Sequence, residues 1–87
     1  MYYVYILRSQ RDGKLYTGFS TDLKRRMQEH KQKKTHTTAR MGDITLIYYE
    51  AFLSEKDARE REIYLKTTQG KRTLKLMLKH TFAAFVP

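Results

Sequence analysis

The chain contains no cysteine. Disulfides and thiolate metal sites are therefore excluded. No apolar run is long enough to span a bilayer, and no signal peptide is recognisable. The opening YYVYIL is too short for either and reads as a strand. Glycine-rich phosphate loops, heptads, internal repeats and low-complexity linkers are missing as well. A soluble, cytoplasmic protein is the expectation. Acids are scarce in two stretches. From Lys24 to Arg40 there are seven basic residues and one acid, Glu29, and after Glu62 there is no acid at all.

What is present is basic. The chain has 87 residues, 18 Lys and Arg against 9 Asp and Glu, and a net charge of +9. That length predicts one small domain, residues 1–87, whose apolar side chains are mostly needed for the core. The charge points to a polyanionic partner, most simply nucleic acid. The bland alternative is a solvated basic surface that keeps the protein soluble. A membrane surface fits less well, because no basic segment also carries a bulky apolar face.

The pattern along the chain is ββαβαα. Tyr2 to Leu7 is a β-branched and aromatic run, and Leu15 to Gly18 is its antiparallel partner across an Asp12-Gly13 turn. Ser20 or Thr21 can N-cap a helix that runs to about Lys31, with Asp22 in its first turn. Lys33 to Gly42 reads as a loop, and Ile44 to Phe52 as a third strand. Ser54 and Asp57 resemble a capping box for a helix over 55–67. Gly70 fits a helix C-cap, and 71–80 a third, basic helix. The apolar tail from Phe82 is left to dock on the sheet or to meet a partner. The fold class is α/β of the α+β kind, a three-stranded antiparallel sheet flanked by helices.

Several side chains suit phosphodiester chemistry. On a 3.6-residue period, Leu23, Arg26, Met27 and His30 share one helix face. A guanidinium there can bind phosphate, and an imidazole one turn on can move a proton. Both could equally snorkel to water at the edge of the apolar stripe. Ala58, Arg61, Glu62 and Leu65 share a face of the next helix. Glu62 on that inward side must pair, with Arg61 or Arg26, or hold a metal. Tyr3 and Tyr5 face one side of the first strand, and Val4 and Ile6 the other. Tyr16 lies on the next strand, before Gly18, whose freedom lets the chain turn sharply toward Arg26 and His30. Any one of these tyrosines could be an ordinary core aromatic.

Taken together the set resembles the GIY-YIG nuclease family. Tyr3-Val4-Tyr5 is similar to the GIY element, and Tyr16-Thr17-Gly18 to the YIG element. The spacings to Arg26 and His30 also resemble the family's, and Ala58 with Glu62 resembles its helical Ala-x-x-x-Glu. The likeness covers residues 2 to about 66. It is similar to short stand-alone bacterial members and to the nuclease domain of structure-specific repair endonucleases, the excinuclease among them.

The resemblance implies an endonuclease that hydrolyses DNA phosphodiester bonds, in DNA repair or recombination, with Mg²⁺ or Mn²⁺. It implies that Tyr16 activates water, unless His30 is the base, and that Arg26 meets the charge of the phosphate. Tyr5 would position the nucleophile, His30 would orient Tyr16 or relay its proton, and Glu62 would hold the metal. Candidate phosphate contacts are Lys24, Arg25, Lys31, Lys33, Lys34, Arg40, Lys66, Lys71 and Arg72.

The chain departs from the family in two ways. It has no asparagine, and Phe19 stands where many members have a basic residue after the glycine. Either Lys24, His36, Arg40 or Lys66 compensates, or turnover is slow. Sequence-specific cutting would need a protein partner, because backbone contacts carry no sequence information. Two alternatives stay open: a catalytically weak or inactive nucleic-acid-binding module, and a small RNA-associated protein.

Overall fold

The computed structural model of the chain describes residues 1–32 and 42–85. The predicted loop, with Lys33, Lys34, His36 and Arg40, lies almost wholly outside the described residues, as do the last two residues of the tail.

Three antiparallel strands form one sheet in the order β2-β1-β3: β1 (Tyr2–Ser9), β2 (Leu15–Ser20) and β3 (Ile44–Phe52). The predicted Asp-Gly turn joins β1 to β2. Gly13 takes the left-handed conformation it needs, with φ 73°. Asp12 Oδ1 accepts from the backbone of Lys14 at 3.0 Å. β2 does not end at Gly18 but continues to Ser20. That glycine pairs with Tyr5 in mid-strand.

Because side chains alternate along β1, the strand feeds two layers. On one face Val4 and Ile6 pack with Ala58, Leu65 and Leu74, all fully buried. These come from α2 (Glu55–Leu65) and α3 (Thr68–Met77). Burying each of the larger aliphatic side chains contributes about 1.5–3 kcal/mol. On the other face Tyr5 is fully buried and meets α1 (Leu23–Lys31). The central strand is thus covered on both sides, which is why Tyr2 to Leu7 reads as a continuous apolar run.

The helix starts and stops follow local chemistry. The N-cap of α1 is Asp22, one residue after Thr21 and two after Ser20, the predicted caps, and its carboxylate accepts from Arg25 N at 3.1 Å. Ser20 instead braces the approach, its hydroxyl accepting from Asp22 N at 3.0 Å. Ser54 caps α2 as predicted, accepting from Asp57 N at 3.3 Å. Gly70 is not a C-cap. Thr67 caps α3, and Gly70 lies in its first turn, accommodating the end of α2. A Cβ at Gly70 would lie 2.7 Å from Leu65 Cα and closer still to Tyr64 O.

The ββαβαα order holds, with a short α4 (Lys79–Ala83) taking the start of the tail. Phe85 then docks at the end of the sheet, with the Arg8 guanidinium 4.1 Å from its ring centroid. No helix among the described residues is long and apolar enough to cross a membrane.

Candidate active site

Tyr5 sits in the middle of the central strand, opposite Gly18 on β2 and Tyr49 on β3. Its ring lies across Gly18, where any side chain would collide with it. Gly18 therefore serves as a slot for the Tyr5 ring. It is not the sharp turn that the sequence suggested, because the chain passes through it in extended pairing. Past that slot the Tyr5 hydroxyl reaches α1. There it lies 2.8 Å from His30 Nε2 and accepts from Arg26 Nε at 3.3 Å. With Arg26 donating, the Tyr5 proton is directed to His30 Nε2.

Arg26 and His30 project together, as their four-residue spacing on α1 requires. Only Arg26 reaches the edge. His30 is fully buried, whereas Arg26 is about one-third exposed and holds Glu29 at 3.2 Å. Tyr16 closes the group from the edge strand. Its ring centroid is 5.8 Å from His30 and 6.3 Å from Tyr5. Both contacts are tilted or edge-on, the favourable arrangement for aromatic quadrupoles.

The electrostatics separate the two titratable groups that touch. Burial pushes the Tyr5 phenol up to about 12, and the hydrogen bond from Arg26 only partly opposes it. Tyr16 and the Glu62 carboxylate also raise it, by less than burial does. Burial, and then the charge of Arg26, hold the His30 imidazole below its ordinary value. Near neutral pH the pair is a protonated phenol and a neutral imidazole.

Glu62 is mostly buried, at 16% exposed, but its partners are not those the sequence offered. Lys66 Nζ donates to Oε2 at 3.2 Å, and Arg59 Nη1 lies 3.9 Å from Oε1. Arg61 turns to β3, where it grips Glu50 with two hydrogen bonds of 2.9 and 3.0 Å. Arg26 is taken by Tyr5 and Glu29. Tyr48 also donates to Glu50. Burial works against ionising Glu50, but Arg61 and Tyr48 outweigh it and hold the carboxyl below its ordinary value.

The described candidate phosphate contacts fall into groups. Lys66 and Lys71 line a groove of about 190 Å³ beside Tyr16 and Thr17. Lys24 and Lys31 border a larger hollow of about 680 Å³ with Tyr3, Met27, Leu46 and Tyr49. That larger hollow contains none of Tyr5, Tyr16, Arg26, His30 and Glu62, so size alone does not mark the chemistry here. Arg25 and Arg72 are exposed and line neither.

One arrangement has no counterpart in the sequence reading. The Arg59 guanidinium lies 3.6 Å from the Phe19 ring centroid. The only sequence signal was the i, i+3 spacing from Arg59 to Glu62, which any helical ion pair shares.

The model of the GIY-YIG catalytic domain family matches residues 1–75. A UPF0213 protein of Streptococcus agalactiae serotype V is 43% identical over 75 residues, covering 82% of this chain and 83% of that protein. A UPF0213 protein of Clostridium perfringens is 35% identical over 79 residues, covering 88% and 83%. The solution NMR structure of a UPF0213 protein from Bacillus halodurans matches with a TM-score of 0.57 at 34% identity, covering 88% of this chain and 85% of that one. The chain belongs to the GIY-YIG catalytic domain family, whose members are generally nucleases.

Proposed function

We propose that the domain is a divalent-metal-dependent endonuclease that hydrolyses DNA phosphodiester bonds. The observation that carries this reading is the convergence of Tyr5, Tyr16, Arg26 and His30 from three elements.

Among the described residues no group of three or more His, Cys, Asp or Glu could cage a metal. An ion would here be held by one carboxylate, Glu62, in place of its Lys66 contact, with water and phosphate oxygens in the other positions. That is an ordinary Mg²⁺ arrangement. Bound there, Mg²⁺ or Mn²⁺ would supply positive charge to the leaving oxygen.

The protein groups divide the remaining work. Tyr16, half-buried on the edge strand, relays the proton of the attacking water as that oxygen bonds to phosphorus, taking it at the phenol oxygen while its own O–H proton passes to solvent. The P–O bond to the leaving nucleotide breaks, and that oxygen is protonated from solvent. His30 is buried and engaged with Tyr5, so it supports the site from behind rather than meeting substrate. Tyr5 stays protonated and holds His30 and Arg26 in register. The partly exposed Arg26 edge faces the added charge of the pentacovalent phosphate, where fixed donors act most strongly. Lys66 and Lys71 bind phosphates flanking Tyr16.

A labelled linear, flap or four-way-junction DNA, incubated with Mg²⁺, Mn²⁺ or EDTA, tests the proposal. We expect metal-dependent products that are lost in both Glu62→Gln and Tyr16→Phe, with DNA affinity kept or improved in Glu62→Gln. The second reading, a binding module with a structural Glu62, draws on the Lys66 and Arg59 pairs. It predicts salt-sensitive binding without products, and loss of folding in Glu62→Gln.

A further inference from the structure

The catalytic scheme leaves the Arg59 guanidinium without a task. Three contacts hold it. Its centre is 3.6 Å from the Phe19 ring centroid, Nε is 3.6 Å from Glu55 Oε2, and Nη1 is 3.9 Å from Glu62 Oε1. Phe19 is itself fixed, its ring 6.3 Å from that of Tyr2 at 22° and packed against the core. Both ion pairs are longer than a hydrogen bond. The guanidinium is therefore held near two carboxylates while its N–H donors are saturated by neither. Its side chain is 53% exposed.

An arginine on a free surface samples many rotamers and gives up that freedom when it binds. Stacking on an aromatic ring fixes the plane of the guanidinium beforehand and leaves its donor edge outward. Lys66, the other cation beside Glu62, is hydrogen-bonded to that carboxylate and lines the groove on the Tyr16 side. Alternation along β2 puts Tyr16 and Phe19 on opposite faces of the strand, and β2 is an edge of the sheet. A phosphate backbone crossing that edge meets the Tyr16 phenol from one face and Arg59 from the other.

We propose that Arg59, propped on Phe19, is a phosphate-binding residue of this site, gripping the DNA backbone on the Glu62 side of the β2 edge. It also offsets the repulsion that Glu62 exerts on an approaching polyanion. The role of Glu62 rests on the nuclease reading, whereas the phosphate contact does not.

The test is equilibrium binding of a short labelled DNA duplex in EDTA, titrated with salt and accompanied by thermal melts. We expect Arg59→Ala to weaken binding about tenfold and to lower the slope of log affinity against log salt by about 1. Arg59→Gln keeps the stem and serves if the alanine variant melts early. Phe19→Leu keeps the apolar packing, removes the stack, and is expected to lose part of the affinity with the cation still present. Adding Phe19→Lys to Arg59→Ala returns a cation to the edge and should restore the slope.

A salt slope unchanged in both Arg59 variants overturns the proposal, as does wild-type affinity in Phe19→Leu. The two readings fail separately. If the wild type cuts DNA and folded Arg59→Ala cuts with the same kcat and KM, the Arg59 assignment falls and the nuclease stands. If nothing cuts but the slope still drops, the nuclease falls and the Arg59 contact stands.

Discussion

Replacing Gly18 with alanine probes the geometry on which the whole site rests. The new Cβ would lie 2.7 Å from Tyr5 Cε2 and closer still to Cζ and Oη. Carbon contacts are comfortable at about 3.5–4.0 Å, so the ring would have to retreat by roughly 1 Å. Tyr5 is fully buried in the central strand and has little room to do so. Overpacking of this kind costs about 1–3 kcal/mol. The same shift stretches the 2.8 Å contact with His30 beyond hydrogen-bonding range, which deprives the buried Tyr5 hydroxyl proton of its acceptor. That adds about 1–3 kcal/mol. Together the loss is about 2–6 kcal/mol, a fall in Tm of roughly 10 °C or more for a domain of this size. Thermal and urea melts measure it directly. Adding Tyr5→Leu removes the colliding atoms and should recover much of the stability, but no cleavage. The reasoning fails if Gly18→Ala melts like a neutral surface change, within about 0.5 kcal/mol of wild type, or if Tyr5→Leu gives no relief.

Two further outcomes follow from the same packing. Gly70→Ala drives a methyl group into backbone, the Tyr64 carbonyl and Leu65 Cα, which cannot swing aside as a side-chain tip can. It should destabilise the domain by about 3 kcal/mol or more, and a urea midpoint near wild type would refute the close α2–α3 junction. His30 has a folded pKa below its ordinary 6.5, so below that pH the unfolded chain binds more protons than the native one. Its contribution is complete above about pH 6.5 and is lost as pH falls toward the depressed folded value. Urea melts from about pH 8 to 5 should show this decline, and His30→Gln should flatten it. A wild-type stability that rises on acidification across that window would contradict the buried, neutral imidazole.

The fold was legible where local chemistry decides it. The Asp12-Gly13 turn, the Ser54 cap and the apolar run of β1 each carry a signal within a few residues. Legibility failed where the deciding contact is distant. Gly18 and Gly70 both resemble punctuation, a turn and a cap, because sequence reading knows glycine mainly as a residue that frees the backbone. In the structure neither needs a left-handed conformation. Each is glycine because something else occupies the space of its side chain: a ring from β1 in one case, the end of a preceding helix in the other.

The candidate site divides along the same line. Helical spacing brought Arg26 and His30 together, because both lie on one nine-residue element. It could not tell which is buried, since that depends on where Tyr5 reaches across the sheet. Glu62 was legible as an inward carboxylate, but its partners were misjudged. Arg61 lies on the inward face, yet it is drawn to Glu50 on β3, a strand whose register no helix pattern reveals. Phe19 makes the point most sharply. At the level of sequence it marks a missing cation beside the YIG-like element. In space its ring carries the Arg59 guanidinium, from a residue forty positions further along the chain. A position that reads as a lost charge is thus a platform for one. Whether a basic group stands at that edge is decided by the packing of α2 on β2, which brings Arg59 over the Phe19 ring, and not by the charge of the residue that follows Gly18.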